Sequence, residues 1–90
     1  MSDLKNYIKK QLEDPTFKET YENSAPEYEV MHAIIKARME SHLSQKELAK
    51  RSGIRQSNLS RIESGASLPN ISTLEAIAKG LGKSLHIEFR

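Results

Sequence analysis

The chain has no cysteine and no tryptophan among its 90 residues. Without cysteine it can form no disulfide and no thiolate metal site, and nothing points to an oxidising compartment. No apolar run approaches the roughly 20 residues that would span a bilayer. The opening residues, MSDLKNYIKK, lack the apolar stretch of a secretory signal, so a cytoplasmic protein without a membrane partner is expected. His32, His42 and His86 are far apart, and no two share a metal-ligand spacing. There is no cluster of Asp, Glu and His, no nucleophile beside an evident base, and no glycine-rich phosphate loop. The expectation is therefore no cofactor, no metal and no enzymatic activity.

What remains is a small helical chain with an uneven charge. Ninety residues make one domain, and an apolar content of 37% supports a modest core. The net charge is only +2, yet residues 1–29 hold four Lys against seven acids, a net of −3. Residues 30–90 hold ten Lys or Arg against five acids, a net of +5. Lys36, Arg38, Lys46, Lys50, Arg51, Arg55 and Arg61 fall within 26 residues. A basic half suits a phosphate backbone, which would repel an acidic half. Solvated helix surface is the plainer account of the same charges.

Leu4, Ile8 and Leu12 recur every four residues and predict an amphipathic helix over 3–13, with Ser2 or Asp3 as its N-cap. Asp14-Pro15 ends it and opens a second short helix carrying Phe17 and Tyr21. After the break at Asn23 to Pro26, a helix over about 27–41 directs Tyr28, Met31, Ile34, Ile35 and Ala37 to a core. Ser44-Gln45-Lys46-Glu47 is a capping box that starts a helix ending near Ser52. A helix over about 55–63 stops at Ser64-Gly65. Ser72-Thr73-Leu74-Glu75 reads as another capping box, opening a helix with Leu74, Ile77, Ala78 and Leu81 inward that ends at Gly82. Leu85, Ile87 and Phe89 then alternate with Ser84, His86 and Glu88, a strand pattern. With no second strand signal in the chain, this one should pair with a second copy or another protein, unless it is a disordered tail.

Residues Gln45 to Ser64, QKELAKRSGIRQSNLSRIES, carry the most specific signal. Small Ala49 allows a close helix crossing, Gly53 permits a turn at positive φ, and Leu59 and Ile62 mark the inward face of the second helix. Its other face holds Gln56, Ser57, Ser60 and Arg61, side chains that hydrogen-bond base edges and phosphates.

The stretch from about Ile35 to Leu81 resembles the phage-repressor-like (Xre) helix-turn-helix family. Arg38, the L-S-Q-x-E-L-A at Leu43 to Ala49, the G-I at Gly53 and Ile54, and the L-S-R-I-E-S-G at Leu59 to Gly65 carry the resemblance. It implies an all-α, five-helix-type repressor-like bundle, here with extra N-terminal helices and a short C-terminal β-strand. The expected divisions are an N-terminal helical segment (1–26), the helix-turn-helix domain (27–82) and a strand for pairing or dimerisation (83–90). The resemblance implies that Gln45 binds a phosphate and braces the reading helix, and that Gln56 makes a bidentate contact with adenine. Ser57, Ser60 and Arg61 follow on the same face, Lys46 and Asn58 beside the backbone. Arg55 departs from the family, since Arg cannot accept the capping hydrogen bond that Ser or Thr would. Either the cap falls elsewhere or the helix start is looser, with Arg55 on a phosphate. His42 also departs, standing where Gly is common, and is expected as a left-handed helix C-cap. Arg38 and Glu63 look like the family's internal ion pair, a structural feature rather than a reader of bases.

The ends narrow the resemblance. L-E-D-P-T-F from Leu12 to Phe17, the following Tyr-Glu and the terminal S-L-H-I-E-F look like the HigA-type antitoxins. That family implies two partners. One is a RelE/HigB-like ribonuclease toxin, bound and blocked; the other is double-stranded DNA, an inverted-repeat operator repressed by a homodimer. The toxin contact would fall on the acidic N-terminal segment, through Leu4, Ile8, Leu12, Phe17 and Tyr21. The alternatives are that this apolar face folds back onto the bundle, and that the protein is a stand-alone repressor with no toxin.

Overall fold

Five helices are present among the residues that the computed structural model describes, 2–13 and 25–90. They are α1 (Ser2–Gln11), α2 (Ala25–Glu40), α3 (Gln45–Ser52), α4 (Gln56–Glu63) and α5 (Ile71–Gly80). The core joins Ile34 of α2, Leu48 and Ala49 of α3, Leu59 and Ile62 of α4 and Ile77 of α5. Val30, Leu43, Ile54, Leu74 and Leu81 close its margins. Helix α1 packs on α2, and its Leu4 is buried. Within α2, Met31, Ile34, Ile35 and Arg38 are all buried, because α1 and α4 both cover the helix.

The connections that set α3 and α4 are made by local chemistry. Helix α2 stops where His42 adopts φ 56, the left-handed conformation expected of it. The Ser44 hydroxyl then accepts a hydrogen bond from the Glu47 N–H at 3.0 Å, and the Glu47 carboxylate accepts one from the Ser44 N–H at 2.9 Å. This is the predicted capping box, and these bonds, that from the Ser44 backbone first, hold the Glu47 carboxyl below its ordinary value. Gly53 follows at φ 71, and its N–H closes the helix on Ala49 and Lys50 carbonyls. A glycine the motif does not include fixes the other side of α3. A Cβ on Gly80 would collide with the Ser52 hydroxyl and come within 3.1 Å of the Ser52 nitrogen and 3.2 Å of Leu48. Helices α3 and α5 therefore approach closely only because position 80 has no side chain.

One expectation is corrected, and another, the terminal strand, is not formed in a single copy. Helix α5 starts at Ile71, and its cap is Asn70, whose side chain accepts from the Thr73 N–H at 2.8 Å. Asn is among the strongest N-caps, and starting there adds the bond from the Leu74 N–H to the Asn70 carbonyl, so the box at Ser72 is not used. Residues 83–90 form no strand; they follow α5 as irregular chain, with Ile87 63% and Phe89 102% exposed. A strand needs a hydrogen-bonding partner, and a single copy provides none. The expected short helix carrying Phe17 and Tyr21 lies outside the described residues.

Candidate nucleic-acid interface

Helix α4 buries Leu59, Ile62 and Glu63 and leaves Gln56, Ser57, Asn58, Ser60 and Arg61 exposed. Positions 59, 62 and 63 lie on one helical face and Ser57, Ser60 and Arg61 turn away from it, while Gln56, the first residue of the helix, is exposed at its edge. Among the described residues, none of these five exposed side chains makes a hydrogen bond within the protein. Arg55 is the N-cap residue, extended at φ −72 and ψ 141, and gives no side-chain cap. Its guanidinium is exposed, as are the side chains of Lys36, Lys46, Lys50 and Arg51. The expected reading face and its basic surround are thus on the surface, on two helices locked by a turn.

The inner face of α4 carries the most constrained charge in the chain. The Glu63 side chain is 0% exposed and its partner Arg38 7%. Arg38 donates from Nε to Glu63 Oε2 at 2.8 Å and from Nη2 to Oε1 at 2.9 Å, a bidentate pair. Its Nη1 donates to the Leu43 carbonyl at 3.0 Å, tying the start of the α2–α3 connection to the same group. Burial opposes the Arg38 charge, but the hydrogen bond and negative charge of Glu63 outweigh it and raise its pKa.

Gln45, at the first position of α3, joins this pair. Its Nε2 donates to Glu63 Oε1 at 2.9 Å and to the Tyr7 hydroxyl at 3.2 Å. Both amide hydrogens therefore point inward. The bracing expected of Gln45 is present, whereas a phosphate at this helix start would meet backbone N–H groups and Lys46 instead.

Sequence reasoning missed Tyr7 and Gln11. The Tyr7 hydroxyl donates to Glu63 Oε1 at 3.0 Å, and its ring lies 5.5 Å from the Arg38 guanidinium. Gln11 Nε2 donates to the Tyr7 hydroxyl at 3.1 Å and to the Glu63 carbonyl at 3.4 Å. Leu4, Tyr7 and Gln11, three and four apart, form a face beside the Leu4-Ile8-Leu12 stripe. A polar pair on that face was the available signal.

Of the five residues expected to meet a protein partner, the side chains of Leu4 and Leu12 are among those described. Leu4 is 7% exposed and belongs to the packing of α1 on α2. Leu12 is half-buried. Phe17, Tyr21 and the side chain of Ile8 lie outside the described residues. Among the described side chains of α1, the exposed charges are Lys5, Lys9 and Lys10, despite the acidic total of residues 1–29.

Desolvation, then the charge and hydrogen bond of Glu63, push the Tyr7 hydroxyl from 10.0 up to about 12. The folded protein therefore favours the protonated phenol, a contribution fully present below pH 10.0 and lost as the pH rises to about 12. Tyr7→Phe should remove that part of the alkaline loss of stability. Urea titrations of both proteins at successive pH values check this; parallel curves would contradict it.

Comparison with known proteins agrees with this geometry. A family profile described as helix-turn-helix matches residues 34–87. Antitoxin HigA1 of Mycobacterium tuberculosis, in strain CDC 1551 / Oshkosh and in strain ATCC 25618 / H37Rv, is 38% identical over 86 residues. The alignment covers 94% of this chain but only 58% of those relatives. No solved structure matches significantly. The turn at Gly53, the exposed polar face of α4 and the matched profile together place this chain in the helix-turn-helix family of DNA-binding regulators.

Proposed function

We propose that this protein is a HigA-type antitoxin that represses its own operon through α4 and neutralises a RelE/HigB-like ribonuclease toxin. The observation that carries the DNA half is the unbonded polar face of α4, held on a buried ion pair and ringed by exposed Lys and Arg. The antitoxin half rests on the similarity to Antitoxin HigA1 along 94% of the chain.

In this reading α4 enters the major groove, with Gln56 on an adenine edge and Ser57, Ser60 and Arg61 on bases or adjacent phosphates. Lys46, Arg55 and Asn58 border the backbone, while Gln45, its amide hydrogens taken by Glu63 and Tyr7, braces the reading helix behind them. Two copies bind an inverted repeat, their reading helices about 34 Å apart. Residues 83–90 suit the contact between copies. Antiparallel pairing centred on Ile87 sets Leu85 opposite Phe89 and His86 opposite Glu88, and supplies the strand partner a single copy lacks. An open groove of about 880 Å³ beneath them, lined by Val30, Ile34 and Leu74 among others, leaves apolar surface for that contact.

The toxin contact is assigned to residues 1–26. Five of the seven acids of residues 1–29 fall at 13–27, beyond α1, where a basic ribonuclease would be attracted. Ile8, Leu12, Phe17 and Tyr21 are the apolar candidates; Leu4 could take part only if α1 left the bundle. A stand-alone repressor is the second reading, favoured by the incorporation of Leu4, Tyr7 and Gln11 into the folded domain.

Titrating the duplex upstream of the gene tests the DNA half. Gln56→Ala should lose about 1–3 kcal/mol of discrimination between this duplex and a scrambled one. Lys46→Ala or Arg55→Ala should weaken both alike and reduce the salt slope by up to about one. A Gln56→Ala protein with unchanged sequence preference would contradict the reading face. Co-expression with the adjacent reading frame tests the other half. Rescue of growth with co-purification is expected, and a harmless, non-binding neighbour would leave the stand-alone repressor.

A further inference from the structure

The amino-terminal helix reaches the DNA-reading helix from behind, through the Tyr7 hydroxyl on the Glu63 carboxylate and the Gln11 amide on the Glu63 carbonyl. Glu63, at the last position of α4, has three donors on Oε1: Arg38, Gln45 and Tyr7. Gln45 begins α3, so this carboxylate joins the start of one motif helix to the end of the other. Tyr7 closes the join on its open side. Its hydroxyl donates to Glu63 and accepts from Gln45 and Gln11, while its ring covers the Arg38 guanidinium. Leu4, buried one turn earlier, seats α1 against α2 and fixes the ring's approach.

We infer that α1 is a positioning element for the DNA-reading helix, and that Tyr7 is the positioning residue through which it acts; this rests on the reading of α4 as the DNA-binding face. Tyr7 itself touches no DNA. It restrains Gln45 and Glu63 together, and with them the angle between α3 and α4. That angle decides whether Gln56 and Arg61 meet base edges while Lys46 meets the backbone. A phosphate contact tolerates a small rotation of α4, because any nearby oxygen serves a lysine. A bidentate contact with a base edge does not. Loss of the Tyr7 hydroxyl therefore falls on sequence discrimination rather than on non-specific affinity.

The test measures affinity for the duplex upstream of the gene and for a scrambled duplex of equal length, at one salt concentration, with the full chain. In Tyr7→Phe the ratio of the two affinities should fall roughly five- to tenfold, the equivalent of one ordinary hydrogen bond. Affinity for the scrambled duplex should stay within about twofold of the unsubstituted protein. A thermal melt establishes that the variant is folded at the assay temperature. If it is not, Gln11→Ala carries the test, since it keeps the ring over Arg38 and removes only donors to the hydroxyl and the Glu63 carbonyl. A smaller fall of the ratio in the same direction is then expected.

An unchanged ratio in the folded variant would overturn the inference. So would equal losses on both duplexes, the outcome of a merely structural role. If the unsubstituted protein itself does not distinguish the duplexes, the assignment of α4 as the reading face fails, a result separable from any effect of Tyr7.

Discussion

Every helix of the motif is oriented by the carboxylate of Glu63. It is fully buried, and a charge in that position is tolerable only if its oxygens are surrounded by donors. Arg38 of α2 supplies two, Gln45 of α3 one and Tyr7 of α1 one. Because Glu63 is itself the last residue of α4, the requirement is met only when four helices stand in one arrangement. Apolar packing among Ile34, Leu48, Leu59 and Ile77 drives collapse but tolerates small sliding. Hydrogen bonds of 2.8 to 3.0 Å to a buried charge do not. The polar face of α4 is thus presented at an angle fixed from behind, which a reader of base edges needs.

The charge separation of the sequence acquires a more local meaning in the fold. The basic residues of 36–61 are exposed around α3 and α4, apart from Arg38, which is turned inward to Glu63. The acidic total of residues 1–29 does not extend to the outer face of α1, where Lys5, Lys9 and Lys10 are exposed. Helix α1 belongs physically to the folded domain through buried Leu4 and the bonds of Tyr7 and Gln11 to Glu63.

Much of the motif was legible because its determinants are local. The Ser44 capping box, the left-handed His42 and the turn at Gly53 each depend on a few neighbouring residues, and each is present. The Arg38–Glu63 pair was accessible through family resemblance, not through spacing. Tyr7 was missed because it lies 56 positions from Glu63 and the helical stripe drew attention to Ile8 instead. The capping box read at Ser72 gave way to Asn70, two residues earlier, because the earlier start gains a backbone bond. The terminal strand is not formed in a single copy, because alternation records a capacity to pair and pairing needs a second strand.

The most direct test of the account replaces the buried pair as a unit, Arg38→Met together with Glu63→Leu. A buried ion pair exchanged for apolar residues of similar volume is often neutral or stabilising, so a cooperative melt should survive. Affinity for the duplex upstream of the gene, measured against a scrambled duplex, separates stability from orientation. The account predicts a folded protein that binds both duplexes almost equally. A folded double variant that still prefers the upstream duplex as strongly as the original would contradict it.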